Sequence, residues 1–110
     1  MLWAPETPNL YKVLTEISEN NVVVDEYETT FGVRTLEFNR NGFFLNGKLY
    51  PVKGTSNHQD FAGVGVALPD KINWYKLKLL KEMGCNGYRA AHHPPIPELL
   101  DMCDSLGMIV

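Results

Sequence analysis

Tyr11, Val13, Thr15 and Ile17 alternate with Lys12, Leu14, Glu16 and Ser18. This period of two is that of a β-strand with one face more buried than the other. Glu19-Asn20-Asn21 turns the chain, and Val22–Phe31 follows as a run of β-branched and aromatic residues, which suit a pleated surface. Gly32 allows a kink or bulge before a further strand over 33–38. Asn41-Gly42 and Asn46-Gly47 each offer the positive-φ pair of a tight hairpin turn, with Phe43-Phe44-Leu45 between them and Lys48-Leu49-Tyr50 after. The first part of the chain therefore reads as antiparallel β ending in two short hairpins. Ahead of it, Trp3-Ala4-Pro5-Glu6-Thr7-Pro8-Asn9-Leu10 has two prolines and no period, so it reads as an extended approach anchored by Trp3.

The pattern changes at Pro51. Val52 carries a strand into Gly54, polar residues run on to Asp60, and 61–68 is a loop containing Gly and Ala. Asp70, one residue after Pro69, stands where a helix N-cap belongs. Ile72, Tyr75, Leu79 and Met83, with Leu80 beside them, fall at helical spacing, and Gly84 stops the helix. Lys76, Lys78 and Lys81 are expected to face outward. A short strand over 86–91 ends in His92-His93-Pro94-Pro95. Pro97 then opens a second helix with Leu99, Leu100, Cys103 and Leu106 on one face, and Gly107 ends it. Met108-Ile109-Val110 begins another apolar strand. Strand, helix, strand, helix, strand implies a parallel sheet with right-handed crossovers.

Two architectures therefore meet in one α+β chain: an antiparallel part of a β-sandwich over residues 1–45 and a βαβαβ start of an α/β barrel over 46–110. About three strands on each side fall short of the seven of a sandwich and the eight of a closed barrel. The chain reads as a fragment across a domain junction, with barrel-strand edges free for self-association.

Composition narrows the partners. At 110 residues, 45% hydrophobic and 11% aromatic, the chain has the means to bury a core. Its formal charge of −3 is spread without blocks, so there is no electrostatic footprint for nucleic acid or an acidic membrane, and a sugar, peptide or other neutral ligand fits better. No apolar run approaches the length of a membrane span, and Met1–Pro5 lacks the regions of a signal peptide. A soluble chain is expected. Cys85 and Cys103 show neither metal spacing nor a disulfide framework, so both are expected to be free and structural.

All three histidines lie between Lys53 and Pro95. His58 and His92 are each placed just past a parallel strand, where open α/β sheets and barrels bind ligands. Adjacent strands lie about 4.8 Å apart, so the two imidazoles can converge on one ligand. A single histidine beside a turn serves equally well as a backbone hydrogen-bonding residue. Two of them with Asn57, Asp60 and Arg89 nearby favour a binding site. A metal held by His58, His92 or His93 with Asp60 matches no zinc spacing, and no cofactor or metal is expected. Cys103, inside a helix face, is packing material rather than a nucleophile. Glycoside hydrolysis needs two flanking carboxyl groups, and Asp60 is the one carboxylate in the histidine clusters. A second reading is a non-catalytic carbohydrate-binding or interaction module presenting Trp3, Phe43, Phe44, Tyr50 or Trp74 as an aromatic platform, although most of these suit core or junction packing.

Several segments resemble glycoside hydrolase family 2, the group of β-galactosidases and β-glucuronidases. They are Trp3-x-Pro5-Glu-Thr-Pro8-Asn-Leu-Tyr11, Glu28-Thr-Thr-Phe31-Gly32-Val-Arg34, Gly42-Phe-Phe-Leu-Asn-Gly47, Lys53-Gly54-x-x-Asn57-His58-Gln-Asp60, Lys81-Glu-Met-Gly84-Cys-Asn86, Arg89-x-x-His92 and Cys103-Asp104. The likeness covers nearly the whole chain in consistent order. It implies the end of an immunoglobulin-like β-sandwich followed by the first strands of a (β/α)8 barrel, in an enzyme that hydrolyses β-glycosides with retention. It further implies that His58 and His92 contact sugar hydroxyls at the cleavage subsite and that Arg89 helps orient the nucleophile. The two catalytic glutamates of the family occur farther along the barrel than Val110, so no catalytic residue is expected here and the segment alone is expected to be inactive. Ser56 and His93 depart from the family's common Asn and Tyr or Asn. The Gln59-Asp60 and Gly63–Pro69 stretch is closer to the β-galactosidase branch.

Overall fold

The computed structural model describes residues 1–110. Strands β1 (Tyr11–Glu19) and β2 (Val22–Phe31) form an antiparallel hairpin, from Tyr11 opposite Phe31 to Glu19 opposite Val22. Its turn uses Asn20 and Asn21 at φ 51° and 62°, a left-handed pair that asparagine tolerates because its short side chain bonds locally. A register shift after Ile17 marks a bulge. The expectation that one face of β1 is the more buried is not met: every residue of both strands is exposed. The alternation assigns side chains to faces, but burial needs a second layer, and the helix over Pro97–Leu106 only flanks the end of β2 across an open cavity without covering either face of the hairpin.

The strand expected over 33–38 is shortened to β3 (Leu36–Asn39). Residues 33 and 34 are engaged with Trp3 instead: the Val33 carbonyl accepts the Trp3 N–H at 2.8 Å, and the Arg34 guanidinium stands 4.6 Å from the indole centroid. Asn46-Gly47 turns the chain from β4 (Gly42–Leu45) to β5 (Lys48–Leu49) as expected, both residues at positive φ, whereas the β3–β4 turn falls one residue earlier than expected, on Arg40-Asn41, with Gly42 already in the strand opposite Asn39; the three strands form one antiparallel sheet. The expected 45/46 meeting point falls at the β4–β5 turn of this sheet.

Beyond Pro51 the elements are β6 (Gly54–Asn57), α1 (Asp70–Glu82), β7 (Gly87–Ala90) and α2 (Pro97–Leu106). Strands β6 and β7 pair in parallel, with Gly54 opposite Gly87 and Asn57 opposite Ala90. Ile109 bridges Gly87 in parallel as the start of a third strand; the Tyr88 N–H donates to its carbonyl at 2.7 Å and its own N–H donates to Asn86 at 2.8 Å. This is the expected βαβαβ order. Strand β6 nevertheless lies on Gly-Thr-Ser-Asn, which has no apolar signal of its own. Its identity comes from pairing so close that a Cβ on Gly54 would meet the Gly87 carbonyl oxygen at 2.3 Å.

The core of this half is Leu77 and Leu80 of α1, Tyr88 of β7, Leu99 and Cys103 of α2, and Met108. The α1 face is rotated from the expected stripe. Asn73, Leu77 and Leu80 are buried, whereas Tyr75, Leu79 and Met83 are exposed. Both stripes satisfy a period of 3.6, and the contact with β7 and α2 selects the first. The residue capping α1 is Pro69, with Asp70 in the first turn, where its carboxylate complements the helix dipole. Only Lys78 of the three lysines is fully outward. Lys81 donates to the carbonyls of Pro5 and Gly107, both at 3.1 Å, and Lys76 also turns inward to backbone oxygens.

Trp3, the anchor expected from the sequence, is 1% exposed. Its indole N–H donates to the Asp104 carbonyl of α2 at 2.8 Å, and the Asn46 side-chain amide donates to the Trp3 carbonyl at 3.0 Å. Gly107 closes α2 in the left-handed region at φ 72°, so near Pro5 that a Cβ would lie 2.4 Å from the Pro5 oxygen. The segment around residues 3–5 thus ties the hairpin exit to both helices. The radius of gyration is 17.0 Å, against about 13 Å for a compact domain of this length. The accessible surface is 7773 Å², against roughly 6,100 Å² for a compact monomer of this size. The chain is extended, 52 × 41 × 23 Å, and exposes many large apolar side chains along the hairpin, such as Leu14, Ile17, Val22 and Tyr27.

Candidate substrate-binding site

Strands β6 and β7 set the site because their parallel register brings both carboxyl ends to one edge. The Ala91 N–H donates to the Asn57 carbonyl at 3.0 Å, extending the ladder by one bond. Beyond it the two chains part, and the rings of His58 and His92 face each other edge-on, 6.2 Å between centroids at an interplanar angle of 81°. The Ala91–His92 peptide is cis. Between the chains opens a cavity of about 420 Å³ lined by His58, Gln59, Asp60, Val66, Ala91, His92 and His93.

Three of the five expected site residues, His58, His92 and Asp60, therefore meet around one cavity. The other two sit lower on the strands. The Arg89 guanidinium donates to the Ser56 hydroxyl, its cross-strand partner, at 3.2 Å. The Asn57 amide turns back along β6 and donates to the Thr55 carbonyl and hydroxyl at 2.8 and 3.1 Å. Gln59 and Val66 also line the cavity and went unassigned in the sequence; Gln59 stood inside the motif, whereas Val66 reaches the cavity by the path of the 61–68 loop and carried no signal.

The lining offers imidazole and amide groups that donate to and accept from hydroxyls, one carboxylate, and no lysine or arginine. Such a surface suits a neutral polyhydroxyl ligand. No group of three His, Cys, Asp or Glu side chains is placed to hold a metal ion. The perturbed titrating groups all lie away from the cavity. Burial, reinforced by Asp104, pushes the Cys103 thiol up to about 12, and burial followed by the hydrogen bond to Glu6 pushes the Tyr50 phenol up to about 12. Both cysteines are free, and Cys103 is buried packing as expected.

The aromatic candidates do not gather into one platform. Trp3 is buried in the junction, Trp74 lies on α1, and Phe43 packs on Phe38 and Tyr50 on the small sheet.

Comparison with known proteins matches residues 36–110 to the TIM barrel domain of glycosyl hydrolases family 2 and residues 1–34 to a second model, glycosyl hydrolases family 2. The β-galactosidase BoGH2A of Bacteroides ovatus is 44% identical over 110 residues, 99% of this chain and 13% of that protein. A putative β-glucuronidase of Formosa agariphila is 42% identical over 110 residues, 99% of this chain and 11% of its own length. The crystal structure of a β-glycosidase from Bacteroides vulgatus superimposes with a TM-score of 0.93 at 42% identity, covering 98% of this chain and 14% of that one. The chain thus spans little more than a tenth of the length of these relatives. On the match over residues 36–110, the chain belongs to glycoside hydrolase family 2.

Proposed function

We propose that this chain is the substrate-holding segment of a retaining, β-galactosidase-like glycosidase. The observation that carries the reading is the pair of imidazoles, His58 and His92, facing each other 6.2 Å apart at the carboxyl ends of adjacent parallel strands. In this role they hydrogen-bond hydroxyls of the sugar on the non-leaving side of the bond. Asp60 accepts from a further hydroxyl, Asn57 braces the strand beneath, and Arg89 holds the carboxylate that attacks the anomeric carbon. Retaining hydrolysis uses two carboxyl groups about 5–5.5 Å apart, and the cavity holds one carboxylate, Asp60. The chain therefore supplies binding and orientation, and the carboxylate pair comes from the remainder of the longer enzyme.

Galactosidases and glucuronidases both stand among the relatives. The part of the lining that this chain contributes holds Asp60 and neither lysine nor arginine, which supports a neutral sugar over a uronate. Chromogenic β-galactoside and β-glucuronide, offered to the 110-residue chain and to the longer enzyme, test the reading. Turnover of the galactoside by the longer enzyme alone is expected. Hydrolysis by the 110-residue chain that disappears in His58→Ala would overturn it.

A further inference from the structure

Lys76 lies in the middle of α1, half-buried, and its ammonium turns back toward the loop that leaves β6. It donates 3.1 Å hydrogen bonds to the carbonyl oxygens of both His58 and Asp60. The β6–β7 ladder ends at the Asn57 carbonyl, and the next backbone hydrogen bond in the chain is made by Phe61 with Gly65. Residues 58–60, which carry three of the cavity's polar side chains, have no backbone-to-backbone hydrogen bond of their own. Their main chain is held by Lys76. The ammonium forms no ion pair with a carboxylate, so its charge strengthens the two carbonyl contacts.

We propose that Lys76 is a positioning residue for the sugar site, acting through His58. By fixing the carbonyls on either side of Gln59, it sets where the His58 imidazole stands relative to His92. Lysine suits the task because one compact ammonium on a four-carbon stem presents three donors and reaches two oxygens at once. The proposal rests on His58 as a sugar-contacting residue, while its geometric part stands on the chain alone.

The test compares Lys76→Met, which keeps the stem and removes the donors, with Lys76→Arg, which keeps donors and charge. In the 110-residue chain, Lys76→Met is expected to free the main chain of residues 58–60, read as a fall in their backbone 15N order parameters from the rigid range near 0.85 toward about 0.6. It is also expected to abolish the ring-to-ring NOE between His58 and His92. The Leu77 and Met108 resonances stay in place, and Lys76→Arg restores the NOE. An unchanged NOE and unchanged order parameters in Lys76→Met would overturn the proposal. In the longer enzyme, Lys76→Met is expected to lower kcat/KM by about 10- to 100-fold, as small misplacements do, and to add nothing in a His58→Ala background. A loss that persists in full beside His58→Ala would show that Lys76 does not act through His58 and would also overturn it. If His58→Ala leaves kcat/KM unchanged, the sugar-site reading fails, and the order-parameter and NOE measurements alone decide the role of Lys76.

Discussion

Replacing Trp3 perturbs the point where the amino-terminal segment, the hairpin exit and α2 meet. The indole is 1% exposed, donates to the Asp104 carbonyl at 2.8 Å, and lies under the Arg34 guanidinium. Truncating a buried aromatic to alanine costs about 3–5 kcal/mol, cavity included, and the indole hydrogen bond is worth roughly 1 kcal/mol of that. Trp3→Ala is therefore expected to cost about 4 kcal/mol, and Trp3→Phe, which keeps a ring but not the N–H, about 1–2 kcal/mol. A 110-residue domain has of order 5–15 kcal/mol in total, and with 13 residues buried this chain belongs at the low end. Urea unfolding followed by far-UV circular dichroism reads the loss. At a slope near 1.5 kcal/mol per molar, Trp3→Ala lowers the midpoint by about 2–3 M. Amide exchange should rise at residue 3, whose N–H donates to the Val33 carbonyl, and at Asp104–Gly107, and not at Asn20–Asn21, the far end of the hairpin. A loss below about 1 kcal/mol, within the range of an ordinary surface change, would refute the anchoring role. Equal losses from Trp3→Ala and Trp3→Phe would show that the hydrogen bond, not the packed ring, carries the contact.

Gly107→Ala places a Cβ 2.4 Å from the Pro5 oxygen on a residue at φ 72°; it should destabilise by about 1–3 kcal/mol in the same urea assay, and a neutral result would contradict the close approach. The Cys103 thiol, pushed up to about 12 chiefly by burial, should resist thiol reagents in the folded chain far longer than the less buried Cys85. Because its folded pKa lies above the unfolded value, its stabilising effect is complete below about pH 9 and disappears as pH rises toward 12; an unfolding free energy flat across that window would contradict this. The exposed hairpin faces and the free edge of β6 should make the isolated chain self-associate, which light scattering checks. A clean monomer with slow exchange at Met108–Val110 would count against it.

Turn chemistry and period were legible in the sequence where a local signal decides the outcome. Asn20-Asn21 and Asn46-Gly47 located two hairpin turns, and Pro97 and Gly107 bounded α2, because each residue type suits a particular φ whatever surrounds it; Asn41-Gly42 pointed to a third turn that forms one residue earlier, on Arg40-Asn41. Features set by distant partners were not legible. Strand β6 is polar and exists through its pairing with β7. The buried stripe of α1 was ambiguous because Leu77 with Leu80 and Tyr75 with Leu79 fit one helical period equally well. The shortening of β3 followed from Trp3, thirty residues back. That His58 and His92 meet at one cavity was legible from their places after successive parallel strands, and that Asp60 joins them from its lying beside one of them. The outward reading of Lys76 failed because charge alone does not show that a lysine stem can fold back onto a loop.

The most direct measurement is a crystal structure of the longer enzyme with a galactose-configured glycone trapped at the cleavage site. The account predicts a ring nitrogen of His58 and one of His92 each within about 2.7–3.2 Å of a sugar hydroxyl, with Arg89 against the nucleophilic carboxylate. A sugar seated in the barrel with both imidazoles beyond hydrogen-bonding reach would contradict it.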